Sequence, residues 1–246
     1  MPEISKSKFL VTAGWNDVPH LDEDTKEELL AATPPHLRDA RSKGIPSLGA
    51  GAIYPIPLDD ILVDPFQIPA YWPRAYGFDV GWNRTAALFG AWDRDVDCLY
   101  LYTEHYRGEA EPSIHATAIR ARGDWIPGAI DPGSRGRAQK DGAQLFYNYQ
   151  QLGLRLNLAP NAVDAGLYDV WERLSTGRIK VFRTLQNFQA EYRLYRRDEK
   201  GRVVKEFDHL MDALRYLVAC YRSIAIPVPA RKTSSSGRVG DPTVGY

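Results

Sequence analysis

Three segments rich in aromatic and β-branched residues follow one another between residues 74 and 107, and they restrict the fold more than any other feature. They read "RAYGFDVG", "TAALFGAWD" and "DCLYLYTEHYR", and the run "DRDVD" at Asp93–Asp97 separates the second from the third. Segments of this composition that end in Asp or Gly are typical of strands joined by turns. We predict that these three strands start an antiparallel sheet.

Helix-like and strand-like segments alternate in the rest of the chain. Helices are predicted for "EPSIHATAIRARG", "KDGAQLFYNYQQLG", "VDAGLYDVWERLSTG" and "TLQNFQAEYRLY", and strands for "WIPGAIDPGSRG", "LRLNLAP" and "RIKVFR". A hairpin that turns at Glu199–Gly201 and a long final helix follow. This order predicts an α/β fold, a mixed sheet flanked by helices on both faces.

The composition of the chain changes near both ends. Residues 1–70 are rich in Pro and Gly, and we interpret them as a lead-in arm. Residues 71–226 hold the α/β domain, and residues 227–246 form a Ser-, Gly- and Pro-rich tail that we expect to be flexible. Gly49 and Gly51 are not followed by Lys-Ser or Lys-Thr, which excludes a phosphate-binding loop there.

Charge and cysteine content argue against several classes of protein. The 31 Lys and Arg residues balance 31 Asp and Glu residues, which argues against a purely electrostatic DNA coat protein but allows local basic patches. Cys98 and Cys220 lie in apolar segments and lack zinc-ligand spacing, which favours reduced core thiols. No apolar run is long enough to span a bilayer, and we expect no membrane partner.

The final helix, "EFDHLMDALRYLVACY", starts with an unusual set of polar residues. Asp208 and Asp212 are four residues apart and therefore stack on one helical face, with His209 beside them. Like charges at this spacing repel each other. One interpretation is a simple acidic helix start with Asp208 as the N-cap. The other is a bound cation that makes the crowding favourable.

Two further aspartates end predicted strands, Asp79 the first strand and Asp131 the fourth. If these strands are neighbours, about 4.8 Å apart, their carboxylates meet at one edge of the sheet, where the final helix can add Asp212. Each aspartate alone is also typical of a turn, as in "DVG" and "DPG". Carboxylates that converge next to apolar runs without basic partners need a cation, and oxygen ligands suit Mg²⁺ or Mn²⁺.

Such a site suits the hydrolysis of a phosphodiester backbone. Two ions, roughly 3.5–4 Å apart, can activate water and stabilise the leaving oxygen. His209 is a candidate general acid/base or metal-positioning residue, or else a hydrogen-bonding partner at the helix start. Candidate contacts to DNA phosphates are Arg135, Arg137, Lys140, Arg196, Arg197, Lys200 and Arg202. For the hairpin members of this group, the alternative is a solvated face mixed with acidic residues.

Three motifs, "GFDVG", "AIDPGSRG" and "DHLMDALRY", resemble the nuclease domain of the large terminase subunit of tailed bacteriophages, which has the ribonuclease H-like fold. The lead-in "PPHLRDARSKGIPSLGAGAIYP" is similar to the segment that joins the packaging ATPase of that family to its nuclease. The ending "GDPTVGY" also resembles family C-termini. The likeness covers nearly the whole chain.

The resemblance implies a metal-dependent endonuclease that cuts concatemeric viral DNA during genome packaging, in the host cytoplasm and transiently at the procapsid portal. It implies that Asp79, Asp131 and Asp212 bind Mg²⁺ or Mn²⁺, two ions once DNA is bound. Asp208 is then a candidate auxiliary ligand, and His209 matches a histidine beside the last acid in some members. The implied partners are double-stranded DNA, the ATPase domain of the same full-length protein, the portal and the small terminase subunit. The chain resembles the C-terminal half of such a protein.

Two other functions stay open at this point. Another ribonuclease H-like nuclease, such as a junction resolvase or a strand-transfer domain, would use the same carboxylates on a different DNA substrate. A non-catalytic domain that docks to the portal would keep the acids only as part of its scaffold. The arm and the tail favour the terminase.

Overall fold

The structure, a computed structural model, describes residues 13–33, 38–44, 51–135, 145–198 and 201–230. Within these ranges, seven strands form one sheet: β1 (Leu62–Val63), β2 (Arg74–Asp79), β3 (Thr85–Asp93), β4 (Cys98–Arg107), β5 (Pro127–Ile130), β6 (Arg155–Leu158) and β7 (Ile179–Phe182). Their order across the sheet is β1-β7-β4-β3-β2-β5-β6. The pairs β2–β3 and β3–β4 are antiparallel and the other pairs are parallel, which confirms the predicted mixed sheet.

Helices cover both faces of this sheet, as predicted. They are α1 (Glu23–Ala32), α2 (Arg38–Lys43), α3 (Leu58–Ile61), α4 (Pro112–Arg120), α5 (Leu145–Gln151), α6 (Val163–Ser175), α7 (Gln186–Leu194) and α8 (His209–Ile224). The larger core lies between the sheet and α6, α7 and α8. A second core lies between the opposite face and α4 and α5.

The side chains of β2 alternate between the two cores. Tyr76 and Phe78 lie in the core under α4 and α5. Ala75 belongs to the larger core, and Gly77 lies against the backbone of α8. Because side chains alternate along a strand, Asp79 faces the α8 side as well. The last residue of the strand is therefore directed toward the start of the longest helix.

Part of the predicted arm, residues 51–70, lies in the larger core. Tyr54, Leu58 and Ile61 are buried there, and β1 pairs in parallel with β7 at the edge of the sheet. A two-residue strand is too short to show period-two alternation, which is why the sequence pattern of this stretch indicates only irregular chain. The domain boundary at residue 70 stays a prediction.

The chain that follows α8 returns to the start of β2. The N–H of Arg74 donates to the carbonyl oxygen of Ile226 at 2.8 Å, and the N–H of Val228 donates to that of Ala70 at 3.0 Å. Most of the predicted tail, residues 231–246, lies outside the described residues. Among the helices that the structure describes, none is both long and apolar enough to cross a membrane.

A buried histidine pair connects α4 to β4. His105 Nε2 and His115 Nδ1 are 2.8 Å apart, and His115 Nε2 lies 3.1 Å from the carbonyl oxygen of Ala110. Burial, with a smaller contribution from His115, lowers the pKa of His105 to about 4. Burial also lowers the pKa of His115. Both rings are therefore neutral in the folded protein near pH 7.

We expect acid to weaken the fold through this pair. The unfolded chain binds a proton at His105 below about pH 6.5, whereas the folded protein does so only near pH 4. The stabilisation is therefore complete above pH 6.5 and is lost as the pH falls toward 4. Between pH 7 and 5, wild type should lose on the order of 2 kcal/mol more unfolding free energy than His105→Gln. Urea denaturation measures both losses, and equal losses would contradict the expectation.

Candidate metal centre

The ends of β2 and β5 bring Asp79 and Asp131 to one edge of the sheet. The two strands are parallel neighbours, and Phe78 is paired with Ile130. Asp79 and Asp131 each follow these residues by one position, so their side chains leave the sheet on the same side. The predicted adjacency of the first and fourth strands is thus confirmed. Asp131 also forms the expected turn, because its Oδ1 accepts the N–H of Gly133 at 2.9 Å.

Gly77 allows α8 to approach β2 closely. A Cβ atom at this position would lie 1.7 Å from the carbonyl oxygen of Ala213, so only glycine fits between strand and helix. This contact fixes the first turn of α8 next to the end of β2. His209 Nδ1 consequently lies 2.9 Å from Asp79 Oδ2. The two residues are far apart in sequence, and the helix packing brings them together.

Three aspartates act electrostatically on one tyrosine of α8. Tyr216 is buried, and burial raises the pKa of its hydroxyl group. The carboxylates of Asp212, Asp131 and Asp79 each raise that pKa further, because negative charge nearby disfavours a tyrosinate. All three predicted ligand positions therefore lie within electrostatic range of the same side chain.

Burial and the neighbouring His209 shift the pKa of Asp79 in opposite directions. Its side chain is 17% exposed, and burial raises its pKa. The hydrogen bond with His209 opposes that shift, whereas the carboxylates of Asp212 and Asp208 add to it. The same hydrogen bond raises the pKa of His209, although burial acts in the opposite direction. The contact with Asp79 is the hydrogen bond at the helix start that one interpretation of His209 expects, and a role of His209 in catalysis or metal positioning stays a prediction.

The expectation that the carboxylates lack basic partners is wrong for Asp212 and Asp208. Lys205 Nζ lies 2.9 Å from Asp212 Oδ2 and 3.0 Å from Asp208 Oδ2, so one ammonium group bridges both. Arg215 Nη2 lies 3.1 Å from Asp212 Oδ1. Lys205 comes from the segment that follows the predicted hairpin, and the sequence pattern gives no indication of its direction. The crowding at the start of α8 is thus relieved by cationic side chains of the protein itself.

Asp208 occupies the N-cap position of α8, but its side chain makes no capping hydrogen bond. Glu191 of α7 takes that role, because its Oε2 accepts the N–H of Leu210 at 2.5 Å. Its Oε1 accepts the hydroxyl of Tyr106 at 2.6 Å, and burial raises the pKa of this carboxyl group. Glu191 is absent from the predicted set. A signal existed: a carboxylate next to Tyr192 on the apolar face of an amphipathic helix.

The residues fit a hard divalent cation, provided that Lys205 moves. Within the described ranges, no three Asp, Glu, His or Cys side chains are arranged to hold an ion directly. The ammonium group of Lys205, however, already stands where a cation bridges Asp208 and Asp212. The Lys205 side chain is 63% exposed, whereas those of Asp208 and Asp212 are 8% and 11% exposed. The lysine side chain therefore has solvent to move into, whereas the two carboxylates are enclosed by the protein.

Only part of the predicted DNA-contacting group can be placed. Arg137, Lys140 and Lys200, together with the side chain of Arg135, lie outside the described residues. Arg197 pairs with Asp164 at 3.3 Å, and Arg202 pairs with Asp198 at 3.2 Å. Arg196 forms a backbone bridge with Ala52. The ion pair with Asp198 of the same hairpin favours the solvated interpretation for Arg202, whereas the partner of Arg197 belongs to α6.

Comparisons with known proteins agree with the fold and the sequence motifs. A family model described as "Terminase RNaseH-like domain" matches residues 76–219. The "Terminase, large subunit" of Salmonella phage P22 is 33% identical in an alignment 222 residues long, and the match covers 86% of this chain and 44% of that protein. The protein of the same name from Enterobacteria phage LP7 is also 33% identical, over 86% of this chain and 46% of its own length. The chain spans about half the length of these relatives.

Solved structures show the same architecture. The P22 large terminase nuclease domain has a TM-score of 0.67 at 31% identity and covers 73% of this chain and 96% of its own. A large terminase from a thermophilic bacteriophage has a TM-score of 0.59 at 21% identity, over 83% of this chain and 54% of its own. That second likeness shows the fold alone. The fold and the sequence motifs both agree with the family model and with the P22 nuclease domain. The chain therefore belongs to the terminase RNase H-like domain family.

Proposed function

We propose that this domain is a metal-dependent DNA endonuclease that cuts concatemeric viral DNA during genome packaging. The observation that carries the proposal is the pair of parallel strand ends at Asp79 and Asp131, with Asp212 of α8 within electrostatic range. A sheet edge with several carboxylates around a buried centre suits two divalent ions better than any catalysis by side chains alone.

Each residue has a distinct role in this proposal. Asp79, Asp131 and Asp212 would hold the ions, and Asp208 would assist beside Asp212. Bound ions of this kind supply an activated water and stabilise the leaving oxygen of the phosphodiester. His209 orients Asp79 through the 2.9 Å contact between Nδ1 and Oδ2. Arg215 holds Asp212 Oδ1 in a fixed direction. Buried, oriented carboxylates of this kind are suited to Mg²⁺ or Mn²⁺.

Two relatives provide wider context. The large terminase nuclease of thermophilic phage G20c has been solved with bound magnesium and with bound cobalt. Because it is 14% and 13% identical in these two structures, it shows the fold, and the cation is inferred here from the carboxylates of this chain. The large terminase with the TM-score of 0.59 has also been solved with ADP. We also propose that the domain works together with an ATPase domain of the same protein, with the portal and with the small terminase subunit. This would take place in the host cytoplasm.

Cleavage of supercoiled plasmid DNA tests the proposed function. With millimolar Mn²⁺ or Mg²⁺ the protein should nick and then linearise the plasmid, and EDTA should stop the reaction. A four-way junction of equal length serves as the second substrate. Cleavage confined to the junction would support a resolvase instead. Absence of cleavage of either DNA with either metal would contradict the proposal and favour the docking domain.

The ammonium group of Lys205 should compete with the metal. We expect Lys205→Met, which keeps the apolar stem and removes the charge, to bind Mn²⁺ about tenfold more tightly, a gain of about 1.4 kcal/mol. Calorimetric titration with Mn²⁺ in the absence of DNA measures the affinity. Lys180→Met is the matched control, because Lys180 Nζ contacts the carbonyl oxygen of Asp60, outside the site. Unchanged or weaker binding by Lys205→Met would rule out the competition.

A further inference from the structure

An exposed aromatic residue stands directly before α8. Phe207 is 52% exposed, and its backbone has a φ of 55°. Bulky side chains rarely adopt this left-handed conformation. Burial of the ring does not compensate for the strain, since more than half of the residue faces solvent. Strain that persists at an exposed position is often associated with a functional role.

A cavity joins Phe207 to the candidate metal centre. It has a volume of about 410 Å³ and is lined by Asn83, Arg84, Tyr106, Glu206, Phe207 and His209. His209 belongs to both places, because its Nδ1 also contacts Asp79 at 2.9 Å. A ligand in this cavity would therefore contact His209, which in turn contacts the proposed metal ligand Asp79.

The cavity lining also holds a stacked polar and aromatic pair, Arg84 and Tyr106. The guanidinium group of Arg84 stacks on the ring of Tyr106, 4.5 Å from its centroid. The hydroxyl of Tyr106 donates to Glu191 Oε1 at 2.6 Å, and Glu191 is buried. A second cavity, of about 420 Å³, shares Arg84, Tyr106 and Phe207 with the first. Tyr106 is thus anchored by a buried carboxylate, and the Arg84–Tyr106 pair lines both cavities.

We propose that this cavity binds an unpaired nucleobase of a DNA strand, next to the phosphate that is cut. The proposal rests on the endonuclease function proposed above. The ring of Phe207 offers a stacking surface, which every base can use because every base has a π-face. Asn83 and Glu206 offer hydrogen-bonding groups to the base edge, and Arg84 offers a charge to a neighbouring phosphate.

The chemistry of the lining favours nucleic acid over a protein partner. The cavity combines an aromatic ring, a stacked guanidinium group and an amide, which together match a base with its flanking phosphate. It also shares His209 with the site that is proposed to bind the DNA backbone. A base inside a regular duplex is stacked and unavailable. The cavity should therefore prefer a strand that is single or locally opened.

Binding of single-stranded DNA in the presence of EDTA tests the proposal without any cleavage. The probe is an oligonucleotide that carries 2-aminopurine, whose fluorescence falls when the base stacks on an aromatic ring. Phe207→Gly removes the ring and adopts the positive φ without strain, so the protein should stay folded. We expect this variant to bind about tenfold more weakly and to lose the fluorescence decrease. Phe207→Tyr should restore both.

Tyr168→Ala provides the matched control, because Tyr168 is a 62% exposed aromatic residue of α6 and does not line the cavity. It should bind the probe like wild type. The proposal would be overturned if Phe207→Gly and wild type bound the probe with equal affinity and equal fluorescence. It would also be overturned if Phe207→Gly lost as much affinity for fully paired DNA as for the single strand. These outcomes leave the endonuclease function intact when wild type still cleaves plasmid DNA with metal. If wild type fails to cleave plasmid DNA, that separate result counts against the proposed endonuclease function.

Discussion

Replacing Asp131 or Asp79 by asparagine is expected to reduce DNA cleavage by about 10³-fold or more. Asparagine keeps the size of the side chain but removes the negative charge that holds a divalent ion. The lost stabilisation of the transition state amounts to several kcal/mol, and each 1.36 kcal/mol corresponds to about tenfold in rate. Initial rates of plasmid nicking with Mn²⁺ measure the effect. The Asp212→Asn variant should behave in the same way.

Asp169→Asn is the control for this series, because Asp169 is an exposed aspartate on α6 and lies outside the site. It should cleave at the wild-type rate. Thermal melting of each variant shows that the fold is retained, so that a lost rate reports on the site. Any of the three asparagine variants that still cleaves at the wild-type rate would remove its residue from the set of proposed metal ligands.

Gly77→Ala is expected to lower the unfolding free energy by about 3 kcal/mol. The added Cβ would lie 1.7 Å from the carbonyl oxygen of Ala213 and 3.0 Å from the N of Leu217, so backbone must move. A displaced α8 would also separate His209 from Asp79. The variant should therefore lose both stability and cleavage, which links the packing of the helix to the assembly of the site.

Gly51→Ala is the matched control, because the added Cβ would lie no closer than 3.3 Å to the carbonyl oxygen of Arg197. Its unfolding free energy should stay within about 1 kcal/mol of wild type. Chemical denaturation measures both variants. A Gly77→Ala protein as stable as wild type would mean that α8 and β2 do not pack at the distance that places Asp212 near Asp79.

The fold follows closely from the sequence because its signals are local. The aromatic and β-branched residues of β2 and β3 and the apolar stripe of α8 predict the strands and the helix at nearly their observed positions. The position of Asp79 and Asp131 needs one further step, the parallel pairing of their strands, and the structure shows that pairing. Strand ends that carry aspartates are recognisable because charge follows directly after an apolar run.

The remaining features of the site depend on tertiary packing that leaves no local pattern. Lys205 lies three residues before Asp208, and nothing in that spacing indicates that its ammonium group bridges Asp208 and Asp212. Glu191 reaches the start of α8 from another helix. The edge strand β1 is two residues long and falls below the length at which alternation can be recognised. These are contacts between distant segments, whose geometry only the folded chain defines.

The most direct measurement is anomalous X-ray scattering from a crystal of the protein soaked in Mn²⁺. We expect at least one strong Mn²⁺ peak between the carboxylates of Asp79 and Asp131, with the ammonium group of Lys205 moved away from any ion that contacts Asp212. Mn²⁺ peaks only elsewhere on the protein, or none at millimolar Mn²⁺, would contradict the proposal that this edge of the sheet is a metal centre.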